Sequence, residues 1–303
     1  MRLAELPAQE FAAQLGEEGV VLRAGRFSVR LLSPLASVAE GVHSLYADSE
    51  RLDSTFADFT VRVEPASGLR RWYRPQALFS LNGALPFAPL PLAHAYPLLE
   101  WGLNWCVSNH CHQYLIVHAA VVEKHGQALI LPGIPGAGKS TLCALLTSRG
   151  GWRLLSDELA LIDLASGLLH PNPRPISLKN ASIGIVRRSV AEAVLSPAVA
   201  DTLKGTVAHL RPPRDSIVRA FEPAAPALVV FPRFLAGAQG RLSPLPRGEA
   251  FMRMADNAFN YSILGTDAFR ALAALVDQSR CYEFPNGGDV ADAIATMDAL
   301  VES

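Results

Sequence analysis

Apolar residues recur at every second position in several short runs near the start of the chain. Phe59, Val61 and Val63 alternate with Thr60 and Arg62, the spacing of a half-buried strand. Segments 20–22 and 27–32 flank Arg23-Ala24-Gly25-Arg26 as two more short strands. Segments 71–73 and 77–81 follow as strands, with Asn82-Gly83 as a turn signal. The pattern predicts a small, mostly β unit over residues 1–90. A proline-rich stretch, 86–91, marks its expected boundary.

Beyond it the period changes. Leu98, Leu99, Trp101, Leu103, Trp105 and Cys106 give 92–113 a broad apolar helical face. A β-rich run at 114–122 and a second strand at 127–131 lead directly into a glycine loop. Segment 141–149 reads as a helix, and 152–155 and 159–164 as strands. Segment 227–231 is a buried strand, and 251–257, 267–278 and 289–301 are helical. Tyr282-Glu283-Phe284-Pro285 closes the pattern as a strand before the last helix. No internal repeat or low-complexity tract interrupts it. Residues 91–303 therefore read as one α/β domain.

Half of the 303 residues are apolar and 18% are charged, which is material for a real core and excludes a disordered chain. Mean hydropathy is +0.20. The 27 Lys+Arg nearly cancel the 28 Asp+Glu, so a nucleic-acid partner is not expected. Four cysteines do not make a disulfide scaffold. The first residues carry acids and no apolar h-region, unlike a signal peptide. No run approaches about 18 apolar residues, so no membrane span is expected. These features together predict a soluble, cytoplasmic protein.

The strongest local signal is Gly133-Ile134-Pro135-Gly136-Ala137-Gly138-Lys139-Ser140-Thr141, which fits G-x-x-x-x-G-K-[ST] in full. It follows an apolar strand and opens a helix, as a phosphate loop requires. Glycines let backbone N–H groups converge on phosphate oxygens, and the helix N-terminus adds partial positive charge. Lys139 is expected at the β- and γ-phosphates, and Ser140 on Mg²⁺. Such a loop names a nucleotide ligand and leaves the reaction open.

Soon after it, Trp152-Arg153-Leu154-Leu155-Ser156-Asp157-Glu158 is a strand ending in two acids. Adjacent acids this close to the loop suggest a metal ligand beside a proton acceptor. A polar hairpin turn is the simpler alternative. His118-Ala119-Ala120-Val121-Val122, the loop, the acid pair and Leu210-Arg211-Pro212-Pro213-Arg214 stand in an order that resembles the HPr serine kinase/phosphorylase family. The resemblance covers about residues 92–303, and in more detail the chain looks like the HPr-related kinase A subgroup.

That resemblance implies a P-loop kinase domain with the fold of phosphoenolpyruvate carboxykinase. It implies ATP and Mg²⁺ as cofactors and transfer of the γ-phosphoryl group to a hydroxyl, of serine or of a small-molecule alcohol. By the same resemblance Asp157 is the general base and a metal ligand with Ser140, and Glu158 is its partner or a metal-side acid. His118 lines the site, and Arg211 or Arg214 stabilises the transferring phosphoryl group. The family's L-E-I-R-G signature stands here as Ile176-Ser177-Leu178-Lys179-Asn180. Its glutamate is Ser177, which argues against a reverse, phosphorolytic reaction. Its arginine is Lys179, which could approach phosphate from the side or simply be solvated. The family's enzymes are often oligomers, so self-association is an expectation. Neighbouring genes in the subgroup often encode PqqD-like proteins, which makes a protein or peptide partner a second one.

Two further clusters admit more than one reading. Cys106, His110, Cys111 and His112 could suggest a metal, but no second paired unit accompanies them, and a helix end with buried cysteines is the plainer reading. Segment 257–261, Asn-Ala-Phe-Asn-Tyr, could touch a substrate or base, or pack the last helices on the sheet. Two function classes follow: an ATP-dependent kinase, or a nucleotide-binding regulatory module without turnover. A GTPase is a weaker third, for want of an N-K-x-D motif.

Overall fold

The computed structural model describes residues 1–302. In chain order the first elements are α1 (Ala8–Glu17), β1 (Val20–Ala24), β2 (Phe27–Leu32), α2 (Ala36–Leu45), β3 (Phe59–Pro65), β4 (Gln76–Leu81), β5 (Leu90–Pro91) and α3 (Ala95–His110). The five strands form one sheet in sequence order. Asn82 and Gly83, at φ 50° and 84°, make the tight turn after β4. Ala95, Leu98, Leu99, Gly102, Leu103, Cys106 and Val107 recur at helical spacing and bury one face of α3 against β3, β4 and α2.

The remainder runs β6 (Tyr114–Val117), β7 (Ala119–Lys124), β8 (Gln127–Pro132), α4 (Lys139–Arg149), β9 (Arg153–Ser156), β10 (Ala160–Asp163), β11 (Leu169–His170), β12 (Ile176–Lys179), α5 (Ala181–Ser189), β13 (Val199–Thr202) and β14 (Gly205–Leu210). Then come α6 (Arg214–Val218), β15 (Ala225–Phe234), β16 (Ser243–Pro244), α7 (Arg247–Asp256), α8 (Tyr261–Leu264), α9 (Thr266–Gln278), β17 (Arg280–Asn286) and α10 (Val290–Glu302). A six-stranded sheet has the order β16-β17-β15-β8-β7-β9, with β8, β15 and β17 parallel. Two three-stranded sheets, β11-β10-β6 and β12-β14-β13, accompany it.

Alternation along the strands sorts side chains among three cores. Leu129 and Leu131 join Leu142 and Leu146 of α4 and Met297 of α10, whereas Ile130 joins Leu272 and Leu275 of α9. Likewise Leu115 and Val117 face that second core, while Ile116 reaches the core under the N-terminal sheet. Both faces of β8 are thus buried, and the loop after it is held on a fully covered strand.

Several sequence expectations need correction. The first ninety residues hold two ten-residue helices, α1 and α2, as well as the sheet. In α1 the apolar anchors are few (Phe11 and Leu15), too sparse to stand out beside the strand alternation, whereas α2 buries Val38, Ala39, Val42 and Leu45 at helical spacing. Residues 71–73 are not a strand. The chain turns through a 3-10 segment, Gly68–Arg71, with positive φ at Gly68 and Arg74, and leaves Trp72 and Tyr73 exposed. The run at 114–122 is two strands in different sheets, broken at His118. Among the described residues no helix is long and apolar enough to cross a membrane.

Candidate functional site

The glycine loop leaves β8 at Pro132 and enters α4 at Lys139. Gly133, Gly136 and Gly138 take φ of 142°, 87° and 95°. An added Cβ on Gly136 or Gly138 would meet nothing within 4 Å, so glycine is demanded there by conformation and not by space. The first N–H groups of α4 have no intrahelical acceptor and point their partial positive charge out of the loop. The Lys139 ammonium donates to the Gly133 carbonyl at 2.6 Å and the Ile134 carbonyl at 3.1 Å. Burial lowers its pKa, and the charge of Asp157 opposes that shift. Thr141 Oγ1 donates to Ser182 Oγ at 2.7 Å, tying the first turns of α4 and α5.

The acid pair follows β9, as the sequence places it. Asp157 is 6% exposed, and its Oδ2 accepts the Ser177 N–H at 2.9 Å. Burial, then the charge of Glu158, raises its pKa to about 6; the Ser177 N–H and the Ser140 hydroxyl work against the rise. Asp157 Oδ1 is buried with no hydrogen-bond partner. Glu158 Oε2 accepts the Asn104 amide at 2.7 Å, and Oε1 lies 3.5 Å from Lys179 Nζ. Burial would raise the Glu158 pKa, but Lys204, Lys179, His118 and Arg174 outweigh it and hold the carboxyl below its usual range.

His118 sits at the break between β6 and β7, its N–H donating to the Asn257 carbonyl at 2.8 Å and its ring 5.8 Å from that of Phe259. Burial and then Lys139 push its pKa down to about 4, so it is neutral at neutral pH. Lys204, at the turn between β13 and β14, faces Glu158 and lies 5.2 Å over the Trp101 ring. The structure thus brings His118, Lys139, Ser140, Asp157, Glu158 and Lys179 into one electrostatic neighbourhood.

Arg211 and Arg214 have a different partner. Arg211 Nη2 pairs with Asp48 at 2.6 Å, and Arg214 Nε lies 4.0 Å from the same carboxylate. Among the described residues neither forms an ion pair with Asp157 or Glu158. Cys106 and Cys111 are buried, with pKa values pushed up to about 12, and His110 stacks edge-on against Trp105. Asn260 of the 257–261 segment, 1% exposed, completes the edge of β6: it accepts the Ile116 N–H and donates to the Tyr114 carbonyl.

A cavity of about 20 Å³ lies between α3 and the acid pair, room for one water molecule. Nine buried side-chain nitrogens and oxygens lack a hydrogen-bond partner among the described residues. Six of them belong to residues lining this cavity: Trp101 Nε1, Asp157 Oδ1, Arg174 Nη1, Ser177 Oγ and both ring nitrogens of His209. Each such group costs roughly 1–3 kcal/mol unless something satisfies it, so their concentration at one place marks a site for a polar group.

Ser140 and Asp157 offer hydroxyl and carboxylate oxygens, the donors Mg²⁺ prefers. No group of three or more His, Cys, Asp or Glu suited to a metal occurs among the described residues, so an ion here would draw its other ligands from phosphate and water. Sequence reading missed Asn104, Arg174, Lys204 and His209. They come from four separate elements or turns, and only the fold gathers them; Arg174, inside Pro171-Asn172-Pro173-Arg174-Pro175, offered the one local hint of an ordered turn.

Comparison with known protein families and with curated proteins finds no match to this chain.

Proposed function

We propose that this protein is an ATP-dependent phosphotransferase of the HPr-kinase-like type, passing the γ-phosphoryl group to a hydroxyl. The observation that carries the reading is Asp157. It is a buried carboxylate at a strand end, next to Lys139 and Ser140 of the glycine loop, with one oxygen unpaired beside a cavity of one-hydroxyl size. The roles follow from that placement. Loop N–H groups, Lys139 and Lys179 bind the triphosphate. Asp157, with a pKa near 6, takes the proton of the attacking hydroxyl as its oxygen bonds to the γ-phosphorus and ADP leaves. Bound Mg²⁺, on Ser140 and Asp157, would supply charge neutralisation of the phosphates. His118, neutral and half-buried, lines the nucleotide side. The acceptor is a small molecule, a peptide or a protein, a PqqD-like partner among them.

One observation favours a second reading, a nucleotide-binding regulatory module. Both arginines of the 210–214 loop are engaged by Asp48 of the N-terminal unit and not by the acids. A phosphotransferase would need that loop to release Asp48 when nucleotide binds, or would use Lys204 in the arginine's place. Transfer from γ-labelled ATP separates the readings. A kinase labels an acceptor in a Lys139- and Asp157-dependent way, whereas a module binds ATP and labels nothing.

A further inference from the structure

Glu158 is held at both oxygens, and the group on Oε2 belongs to a longer chain of contacts. Asn104 Nδ2 donates to Oε2 at 2.7 Å, and Arg174 Nη2 donates to Asn104 Oδ1. A guanidinium has donors only, so Arg174 selects the oxygen end of the Asn104 amide and leaves the nitrogen end for the carboxylate. With the amide turned over, its oxygen would face Glu158 and repel it. Arg174 is in turn held 3.9 Å from Glu100 Oε2. The Glu100 carboxylate accepts the Tyr46 hydroxyl at 2.9 Å and the Tyr96 hydroxyl at 2.8 Å. Tyr46 closes α2, and Tyr96, Glu100 and Asn104 lie along α3 at spacings of four, on one face.

The inner part of the chain is buried, with Tyr46 3% exposed, Glu100 2% and Arg174 7%, while Asn104 and Glu158 at its end are half-buried. A buried ion pair contributes little net stability compared with apolar side chains of the same size. Its presence here therefore calls for a role other than holding the fold together. The one group at its end that does not belong to the fold's core is Glu158.

We propose that Asn104 and Arg174 are positioning residues for Glu158, and that through Glu100, Tyr46 and Tyr96 the N-terminal unit fixes the orientation of this candidate active-site acid. The inference rests on the phosphotransferase reading. It gives residues 1–90 a part in the site, which nothing in their sequence suggests.

The test uses the full-length chain with Mg²⁺, saturating ATP and protein and small-molecule fractions of a source lysate as acceptors, reading γ-phosphate transfer, nucleotide affinity by fluorescence titration, and melting temperature. Asn104→Ala is expected to lower kcat at least tenfold at unchanged nucleotide Kd. In a Glu158→Gln background the same change is expected to cost less than twofold, because residues acting as one unit are not additive. Tyr46→Phe removes one hydroxyl and keeps the ring; it is expected to lower kcat about two- to fivefold without moving Kd. The proposal is overturned if Asn104→Ala stays within twofold of the parent. Equal losses in both backgrounds would overturn it as well, as would a loss matched by weakened nucleotide binding. Turnover absent from the parent, with Lys139-dependent binding intact, would instead remove the phosphotransferase reading and this inference with it.

Discussion

Lys139 bonds two carbonyls of its own loop, neutral acceptors that a triphosphate would replace with charged ones. Charged hydrogen bonds contribute about 1.5–3 kcal/mol each, so Lys139→Ala is expected to weaken ATP binding roughly 10- to 100-fold, read by calorimetric titration. His209 makes a different prediction. It is wholly buried, with neither ring nitrogen paired, and its pKa is pushed down to about 3. As pH falls below about 6.5 the unfolded chain takes the proton first, so stability present at neutral pH drains away toward pH 3. His118, at about 4, adds to the loss. Asp157, raised to about 6, acts in the opposite sense between its ordinary 3.8 and 6, but over a smaller interval than the two histidines together. Melting temperature is therefore expected to fall between pH 7 and pH 5, and His209→Phe to flatten that fall. A melting temperature constant over this range would contradict the unpaired burial of the His209 ring.

At the scale of elements, Gly102 of α3 gives the clearest test. A Cβ there would stand 2.1 Å from the Phe79 ring of β4. Alanine favours an exposed helix over glycine by about 1 kcal/mol, but overpacking costs roughly 1–3 kcal/mol, so Gly102→Ala is expected to lower the melting temperature. β9 and β7 are joined by a buried pair, Arg153 Nε to Glu123 Oε2 at 2.5 Å, and Arg153 also donates to the Arg219 and Glu222 carbonyls. Glu123→Ala leaves that guanidinium short of its counter-charge and is expected to cost about 3–5 kcal/mol in denaturant unfolding. Elements with a dense, regular apolar pattern were legible in the sequence: β2, β3, β8, α3, α4 and α9 lie where the pattern puts them. The loop and acid pair were legible because their chemistry is contiguous in the chain. α1 was not, since its two buried apolar residues, Phe11 and Leu15, leave little pattern; α2 does carry a helical spacing, Val38, Ala39, Val42 and Leu45, in a run short enough to be lost among the strand signals around it. Residues 71–73 misled because aromatic side chains suggest burial, and the positive φ at Gly68 and Arg74 that exposes them leaves no periodic trace. Asn104, Arg174, Lys204 and His209 were invisible because long-range packing alone brings them to Glu158.

For the whole molecule the question is why an N-terminal α/β unit accompanies a glycine-loop domain. The two meet at polar as well as apolar contacts. Asp48 takes Arg211, the Asn172 side chain accepts the Arg26 N–H, and the Tyr46–Glu100–Arg174–Asn104 chain ends on Glu158. The core under the N-terminal sheet also takes Ile116 from β6 and Leu161 from β10, so it extends under the strands that carry His118 and the acids. An account in which the first ninety residues were an independent appendage would not place Tyr46 and Arg26 in direct hydrogen bonds to Glu100 and Asn172, both of which line the cavity beside the acid pair. The central claim is that these parts converge on phosphoryl transfer by Asp157. The most direct measurement incubates the protein with Mg²⁺ and γ-labelled ATP, with protein and small-molecule fractions of a source lysate as acceptors, and runs Asp157→Asn alongside. The account predicts a labelled acceptor with the parent, and nucleotide binding without label for the variant. Equal labelling by both, or ATP bound by the parent and no label in any fraction, would contradict it.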